Sequence, residues 1–176
     1  MNKLIALASL TAFAIGAVSA QGTGPSDPQI AAIVVAANQV DIDAGNLAKS
    51  KSTNPKVKDF AQLMITDHTG VLKSAVDLVT RLKVTPEPNP TSQSLTKGGT
   101  DNVAALNKLS GAQFDRAYID HEVSYHESVL NAVDNTLIPN AKNAELQALL
   151  VKVRPAFAAH LAHAKKVQSE LGGSGG

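Results

Sequence analysis

Residues 59–82, DFAQLMITDHTGVLKSAVDLVTRL, decide the fold predicted for this chain. At helical spacing the apolar residues of this stretch form one stripe, as in a helix with a single buried face. His68 interrupts the stripe at a position where an apolar residue is expected. Three other segments show the same interruption. The pattern therefore predicts long amphipathic helices that enclose a polar site.

Length and composition limit the choice of function. The chain has 176 residues, enough for one domain with a substantial core, and it contains no cysteine, so disulfides and thiol chemistry are excluded. Without Lys3 the chain has 15 basic and 15 acidic residues. A net charge near zero argues against a nucleic-acid partner, which requires a basic surface.

Residues 1–20 have the form of a secretory signal peptide. Lys3 gives the segment a positive start, residues 4–18 are apolar, and the small residues 18–20 form a cleavage site before Gln21. The alternative is an uncleaved membrane anchor. No other stretch has the length and apolarity of a membrane span. We therefore expect a soluble mature protein that is periplasmic or secreted.

Four long helices are predicted, over residues 27–50, 55–83, 112–137 and 141–171. Together they form one domain (27–171), between a flexible lead (21–26) and a flexible tail (172–176). The short turn between the first two helices makes them antiparallel neighbours. Residues 84–99, rich in Pro, Ser, Thr and Gly, predict a long connection, followed by a short helix over 101–109.

Capping residues set the expected helix boundaries. Asp27 is expected to cap the first helix, and Asn54 or Thr53 the second, each beside a proline in the first turn. Ser110 begins the pattern of a capping box before the third helix. Residues 138–140 should break the chain. Pro155 should kink or split the fourth helix, because it removes a backbone hydrogen bond.

Each predicted helix carries one polar residue on its apolar face: Asp41, His68, His126 and His160. An unpaired polar group in the core costs about 1–3 kcal/mol, so these side chains should meet at one point. Counting residues from the turns places the first two at the same depth. Glu122, one turn from His126, is a weaker candidate that lies close to the level of His160.

Two arrangements would satisfy such a cluster. Three imidazoles and a carboxylate suit a divalent transition metal such as zinc, copper, nickel or iron, with His163 as a further weaker ligand. Otherwise Asp41 orients the histidines through hydrogen bonds in a metal-free network. A third interpretation is that each histidine is an independent core residue. His121 is expected to point away from His126, and Asp67 to face solvent.

Three stretches carry a resemblance to a known family: DIDAGNLAKSKSTNPKVKDFAQLMITDH (41–68), FDRAYIDHEVSYHESVL (114–130) and RPAFAAHLAHAKKV (154–167). The chain resembles, over residues 27–166, a widespread group of exported bacterial proteins. They are catalogued as a domain of unknown function and often labelled predicted outer membrane protein. The resemblance implies a ferritin-like fold, with shared polar residues at the four positions above. The family usually has Glu where this chain has Asp41.

Ferritin-like relatedness would suggest iron chemistry, but the residues argue otherwise. A di-iron site requires Glu-x-x-His on two helices. This chain offers only Glu122, four residues before His126. A mononuclear His-rich site is therefore predicted in preference to a di-iron oxidase or an iron store, with zinc or copper favoured over iron.

The sequence thus predicts an all-α protein, a ferritin-like four-helix bundle with a long connection between its second and third helices. It would bind one divalent transition metal in the bundle core, in metal handling or stress protection. The alternative is a non-catalytic structural or interaction module with a metal-free network of buried His and Asp. An enzyme with an open coordination position is less favoured, because no separate nucleophile or substrate pocket is evident. The sequence predicts a metal ion as partner and does not identify a protein partner.

Overall fold

The computed structural model describes residues 24–172, which form helices and, within that range, contain no strand. The helices are α1 (Asp27–Lys51), α2 (Pro55–Arg81), α3 (Pro90–Asn107), α4 (Gly111–Ala132), a π-helical segment (Val133–Leu137), α5 (Ile138–Asn140) and α6 (Ala144–Gly172). The all-α prediction is confirmed. The predicted signal peptide, most of the lead and the tail beyond Gly172 lie outside the described residues.

The turn between α1 and α2 has the expected chemistry. The Asn54 side chain accepts a hydrogen bond from the backbone N–H of Lys56, and Pro55 occupies the first turn of α2. A turn of three residues returns the chain alongside itself, so α1 and α2 pack along their length.

The cap of α1 differs from the prediction. Ser26 rather than Asp27 is the N-cap, because Ser26 and Gln29 exchange side chain–backbone hydrogen bonds in a capping box. The Asp27 carboxylate instead accepts the backbone N–H groups of Lys142 and Asn143, at 2.8 and 2.9 Å. These bonds tie the start of α1 to the segment that leads into α6.

The long connection between α2 and α4 is present, but it is helical over Pro90–Asn107, so the short helix predicted over 101–109 begins about ten residues earlier than expected. Asn89 and Ser92 form a capping box that begins α3. Farther along, Gly99 is buried against α1, where a Cβ would lie 2.5 Å from Val40 Cγ2. Gly99 thus allows the close packing of α3 on α1.

Later boundaries also differ from the sequence expectations. Ser110 caps α4 without a side-chain hydrogen bond, so the predicted capping box does not form. Helical structure continues through residues 138–140, and the chain breaks at 141–143 instead. Pro155 lies inside α6 but does not split it, because α6 is continuous from Ala144 to Gly172.

Two apolar clusters fill the interior, one toward each end of the bundle. The first cluster joins the second half of α1 to the first halves of α2 and α4 and to the end of α6. The second cluster joins the first half of α1 to the second half of α2, the π-helical segment and the first half of α6. It follows that α2 and α4 run in the same direction, joined by the connection that contains α3. Between the clusters, each of the four long helices contributes polar side chains. No helix within residues 24–172 is both long and apolar enough to cross a membrane.

Candidate metal centre

Five polar side chains from the four long helices converge between the two apolar clusters. At most 3 % of the surface of each residue is exposed. They are Asp41 on α1, His68 on α2, Glu122 and His126 on α4, and His160 on α6. The structure thus brings together the four residues singled out by their positions in the apolar stripes, together with the weaker candidate Glu122.

The three imidazoles form a nearly equilateral triangle. Ring centroids are 5.6 Å apart for His68 and His126, 5.2 Å for His68 and His160, and 5.5 Å for His126 and His160. One ligand atom from each of the three lies within 4.8 Å of the other two. These separations would allow all three rings to reach a single metal ion after small adjustments.

Asn38 determines which nitrogen of His68 carries the proton. The Asn38 amide nitrogen donates to the backbone carbonyl of Val34 at 2.8 Å, so its oxygen faces His68. That oxygen lies 2.9 Å from His68 Nδ1 and accepts a hydrogen bond from the Nδ1–H group. Nε2 therefore carries a lone pair, which is what a metal ligand requires.

His126 is oriented by its own helix. Its Nδ1–H donates to the backbone carbonyl of Glu122 at 3.0 Å. A carbonyl can only accept, so His126 Nε2 carries the lone pair. This nitrogen is buried and has no hydrogen-bond partner among the described residues.

His160 is oriented from α2. Its Nε2–H donates to the Asp67 carboxylate at 2.9 Å, which leaves Nδ1 with the lone pair. Nδ1 is also buried without a hydrogen bond to any residue that the structure describes. The Asp67 side chain is partly exposed, in line with the expectation that it faces solvent, but its carboxylate also reaches across to α6.

The three histidines thus share one design, which is characteristic of metal ligands. Each uses one ring nitrogen to donate to a fixed acceptor, and the other nitrogen is buried without a hydrogen bond in the part of the chain that the structure describes. A buried polar atom without a partner costs about 1–3 kcal/mol. A metal ion bound between the rings would remove this cost at all three nitrogens.

Asp41 and Glu122 add two carboxyl groups beside the imidazoles. Asp41 Oδ2 lies 3.1 Å from His68 Nε2 and 3.7 Å from His126 Nε2. One ligand atom each of Asp41, Glu122 and His126 lies within 4.8 Å of the others. Among residues 24–172, both Asp41 oxygens and Glu122 Oε2 are buried without a well-aligned hydrogen bond.

Burial controls the protonation of these groups. Desolvation raises the pKa of Asp41 from 3.8 to about 7, and the adjacent Glu122 side chain partly offsets this increase. The pKa of Glu122 is raised well above 4.5 by desolvation and by the neighbouring charge of Asp41. Without a cation, the pair therefore retains protons near neutral pH.

The histidines shift in the opposite direction, toward the neutral form. Desolvation lowers the pKa of His68 to about 2, with smaller contributions from His126 and His160. Desolvation also lowers the pKa of His126 to about 4, and it lowers that of His160. Neutral imidazole is the form that binds metal, so these three residues need lose no proton to bind one.

Two other histidines lie outside this centre. His163, a weaker ligand candidate, packs edge-to-face against Phe60 with ring centroids 5.2 Å apart and belongs to neither group of ligand atoms. His121 stacks on Tyr125 and lines a separate cleft of about 500 Å³ between α3 and α4. His121 therefore points away from His126, as the helical spacing indicated.

Sequence reasoning missed the residues that orient the ligands. Asn38 lies one helical turn before Asp41, and this i, i+3 spacing on one face of α1 was the available signal. Asp67 offered no comparable signal, because its role depends on the approach of α6.

Comparison with known proteins gives a family. Residues 13–167 match the family model described as Domain of unknown function (DUF4142). Searches of curated proteins and of solved structures found no match.

Proposed function

The chain belongs to the DUF4142 family, and we propose that it is an exported protein that binds one divalent transition metal in the core of its helical bundle. Its ligands are His68, His126 and His160, with Asp41 as the fourth ligand or as an orienting partner. The observation that carries this proposal is a set of three buried imidazole nitrogens that form no hydrogen bond within residues 24–172, each in a ring whose other nitrogen donates to a fixed acceptor.

Charge favours a divalent ion. Three neutral imidazoles contribute no charge, and ionised Asp41 and Glu122 contribute two negative charges. A divalent cation makes the buried centre neutral, which avoids the high cost of an uncompensated charge in the core. A nitrogen-rich set with one or two carboxylates suits zinc or copper.

We also propose that the arrangement is ferritin-like. The long connection joins α2 to α4, which run in the same direction, and the polar centre lies midway between two apolar clusters. The donor set differs from a di-iron site, because three of its five members are histidines. Binding, metal handling or protection against metal stress fits this set better than iron storage.

One observation favours a second function, a structural or interaction module without metal. Asp41 Oδ2 lies 3.1 Å from His68 Nε2, close enough for a protonated Asp41 to donate to that nitrogen after a small rotation. The centre would then be a hydrogen-bonded network that fixes the packing of α1 on α2. This network leaves the lone pairs of His126 and His160 unused, so it explains less of the geometry.

Elemental analysis tests the proposal. The full chain is expressed without a polyhistidine tag, recovered from the periplasm, and its mass is measured to locate the mature N-terminus. We expect about one equivalent of a single metal. The variant His68→Ala should lose it, whereas His121→Ala and His163→Ala should keep it, since these histidines lie outside the centre.

Two outcomes would contradict the proposal. Equal metal content in His68→Ala and wild type would show that the metal binds elsewhere. Absence of metal from the wild type, with no rise in its melting temperature on adding zinc or copper, would favour the metal-free network. Recovery of the chain only from the cytoplasm would contradict export.

A further inference from the structure

A small apolar cavity adjoins the metal centre. It lies among α1, α2, α6, the end of α4 and the π-helical segment, and its volume is about 30 Å³. Its walls are aliphatic and aromatic, and three side chains with polar atoms also line it: Asn38, His68 and Tyr125.

The Asn38 amide, His68 Nδ1 and the Tyr125 hydroxyl already have hydrogen-bond partners. Asn38 donates a hydrogen bond to the backbone carbonyl of Val34 and accepts one from His68 Nδ1–H. The Tyr125 hydroxyl donates to the backbone carbonyl of Ala37 at 2.8 Å. A buried water requires two to four polar partners, so this cavity holds water poorly, and it offers no charge to bind an ion.

The size of the cavity limits its occupant. About 10–15 Å³ of cavity volume is needed to hold one water-sized molecule. The observed volume therefore suits a molecule of about two or three non-hydrogen atoms, and excludes ligands the size of a sugar or a nucleotide.

The cavity is lined by one proposed metal ligand and by side chains that pack against the ligand rings. His68 contributes to both the cavity wall and the ligand triangle, and Phe157, another wall residue, stacks on its ring with centroids 5.3 Å apart. Tyr125 meets the ring of His126 edge-on, with centroids 6.0 Å apart. A molecule in the cavity would therefore contact the side chains that fix the ligand rings.

The π-helical segment forms another part of the wall. Val133 and Leu137 are the first and last residues of this segment, and both line the cavity. A π-helical turn is wider than an α-helical turn, and such turns occur frequently at functional sites. The departure of this helix from α geometry coincides with the cavity.

We propose that this cavity is a binding site for an uncharged, apolar molecule of two or three heavy atoms, a class that includes dioxygen. The proposal that such a molecule binds rests on the cavity alone and does not require a bound metal. The role of such a molecule as a substrate or signal read by the metal ligands rests on the proposed function.

Methyl NMR of the metal-free protein tests binding. Dioxygen is paramagnetic, so spectra recorded under oxygen pressure and under nitrogen pressure report its position. We expect larger relaxation enhancement at the methyl groups of Val133 and Leu150 than at those of Val57 and Val167. All four valine and leucine residues are almost fully buried, but only the first two line the cavity, so the second pair is an internal control.

Xenon provides an independent probe with matched variants. The wild type should give a saturable ¹²⁹Xe chemical-shift change. Ala37→Leu, which fills the cavity, should abolish it, whereas Ala36→Leu adds the same side chain one residue away and should preserve it. Leu149→Ala, which enlarges the cavity, should strengthen xenon binding.

Equal relaxation enhancement at the cavity residues Val133 and Leu150 and at the control residues Val57 and Val167 would overturn the proposal. An unchanged xenon response in Ala37→Leu would also overturn it. Both experiments use metal-free protein. Failure of metal binding and failure of the cavity to bind apolar molecules are therefore distinguishable.

Discussion

His160 on α6 donates from Nε2 to the carboxylate of Asp67 on α2, across 2.9 Å. This bond directs the unprotonated Nδ1 of His160 away from Asp67, in the core of the bundle. Asp67 also neighbours His68 in sequence, so a short stretch of α2 supplies one proposed ligand and the group that orients another. Such orienting partners are a general feature of histidine metal sites.

Replacement of Asp67 should therefore weaken metal binding although Asp67 is not a ligand. We expect Asp67→Ala to lower the affinity about 10–100-fold, the range typical of lost orienting partners. Asp67→Asn retains an acceptor oxygen and should lose less. Asp77→Ala is the control, because Asp77 lies on the same helix and pairs with Lys73 at the surface. Calorimetric titration with zinc measures the affinity of each of these three variants and of the wild type. Equal affinities for Asp67→Ala and Asp77→Ala would show that the bond does not orient His160 for binding.

Asn38 should matter for stability as well as for binding. Asn38→Ala leaves the Nδ1–H of His68 without its acceptor in the core, and an unpaired buried group costs about 1–3 kcal/mol. We expect the free energy of unfolding of the metal-free protein, measured by urea denaturation, to fall by this amount. The control Gln39→Ala changes the next residue, whose side chain is exposed and bonds Asp43 at the surface, and should have little effect. A loss no larger than that of the control would mean that the hydrogen bond contributes no stability.

Helical periodicity was sufficient to find the centre, because a polar residue in an otherwise apolar stripe has few ways to be satisfied. Asp41, His68, His126 and His160 each interrupt one stripe, and the structure brings them together. Their role as metal ligands remains a prediction.

Features that depend on contacts between helices could not be predicted in the same way. Asp67 lies beside the stripe of α2 and gains its role only from the position of His160. Gly99 weakens a helix by intrinsic propensity, yet it lies in α3 because its missing Cβ allows close packing on Val40. In both cases the role of the residue is set by tertiary packing, which the local sequence does not reveal.

Metal affinity should rise with pH between 6 and 8. The carboxyl groups must lose protons to bind a cation, and the pKa of Asp41 is raised to about 7 by burial. The pKa values of His68 and His126 are lowered to about 2 and about 4, so these histidines release no proton in this range. For each carboxyl proton displaced by the metal, affinity increases up to about tenfold per unit rise in pH, as long as the pH is below the pKa of that carboxyl group.

Calorimetry in buffers with different ionisation enthalpies counts the protons released. We expect release of about one to two protons per metal at pH 6, with fewer released by Glu122→Gln. Affinity independent of pH between 6 and 8, with no proton release, would contradict the raised pKa values of the two carboxyl groups.

Asp41→Asn should separate stability from binding. The pKa of Asp41 is higher in the folded state, about 7, than its ordinary value of 3.8. The folded state therefore holds a proton that the unfolded state releases, and stability is lost as the pH rises from about 4 to 7. An uncharged amide removes this loss. At pH 8 the metal-free variant should be more stable than the wild type by about 1–3 kcal/mol, and at pH 4 the difference should be smaller.

The same variant should bind metal more weakly, because the amide carries no charge to balance the cation. Asp43→Asn is the control, since Asp43 lies two residues away on the exposed face of α1 and should change neither property. Urea denaturation at both pH values, together with zinc titration, gives the two measurements. A variant less stable than the wild type at pH 8 would indicate that Asp41 stabilises the fold through His68, as the metal-free network requires. A more stable variant with weakened metal binding would show that Asp41 is retained for the metal at a cost to the stability of the metal-free fold.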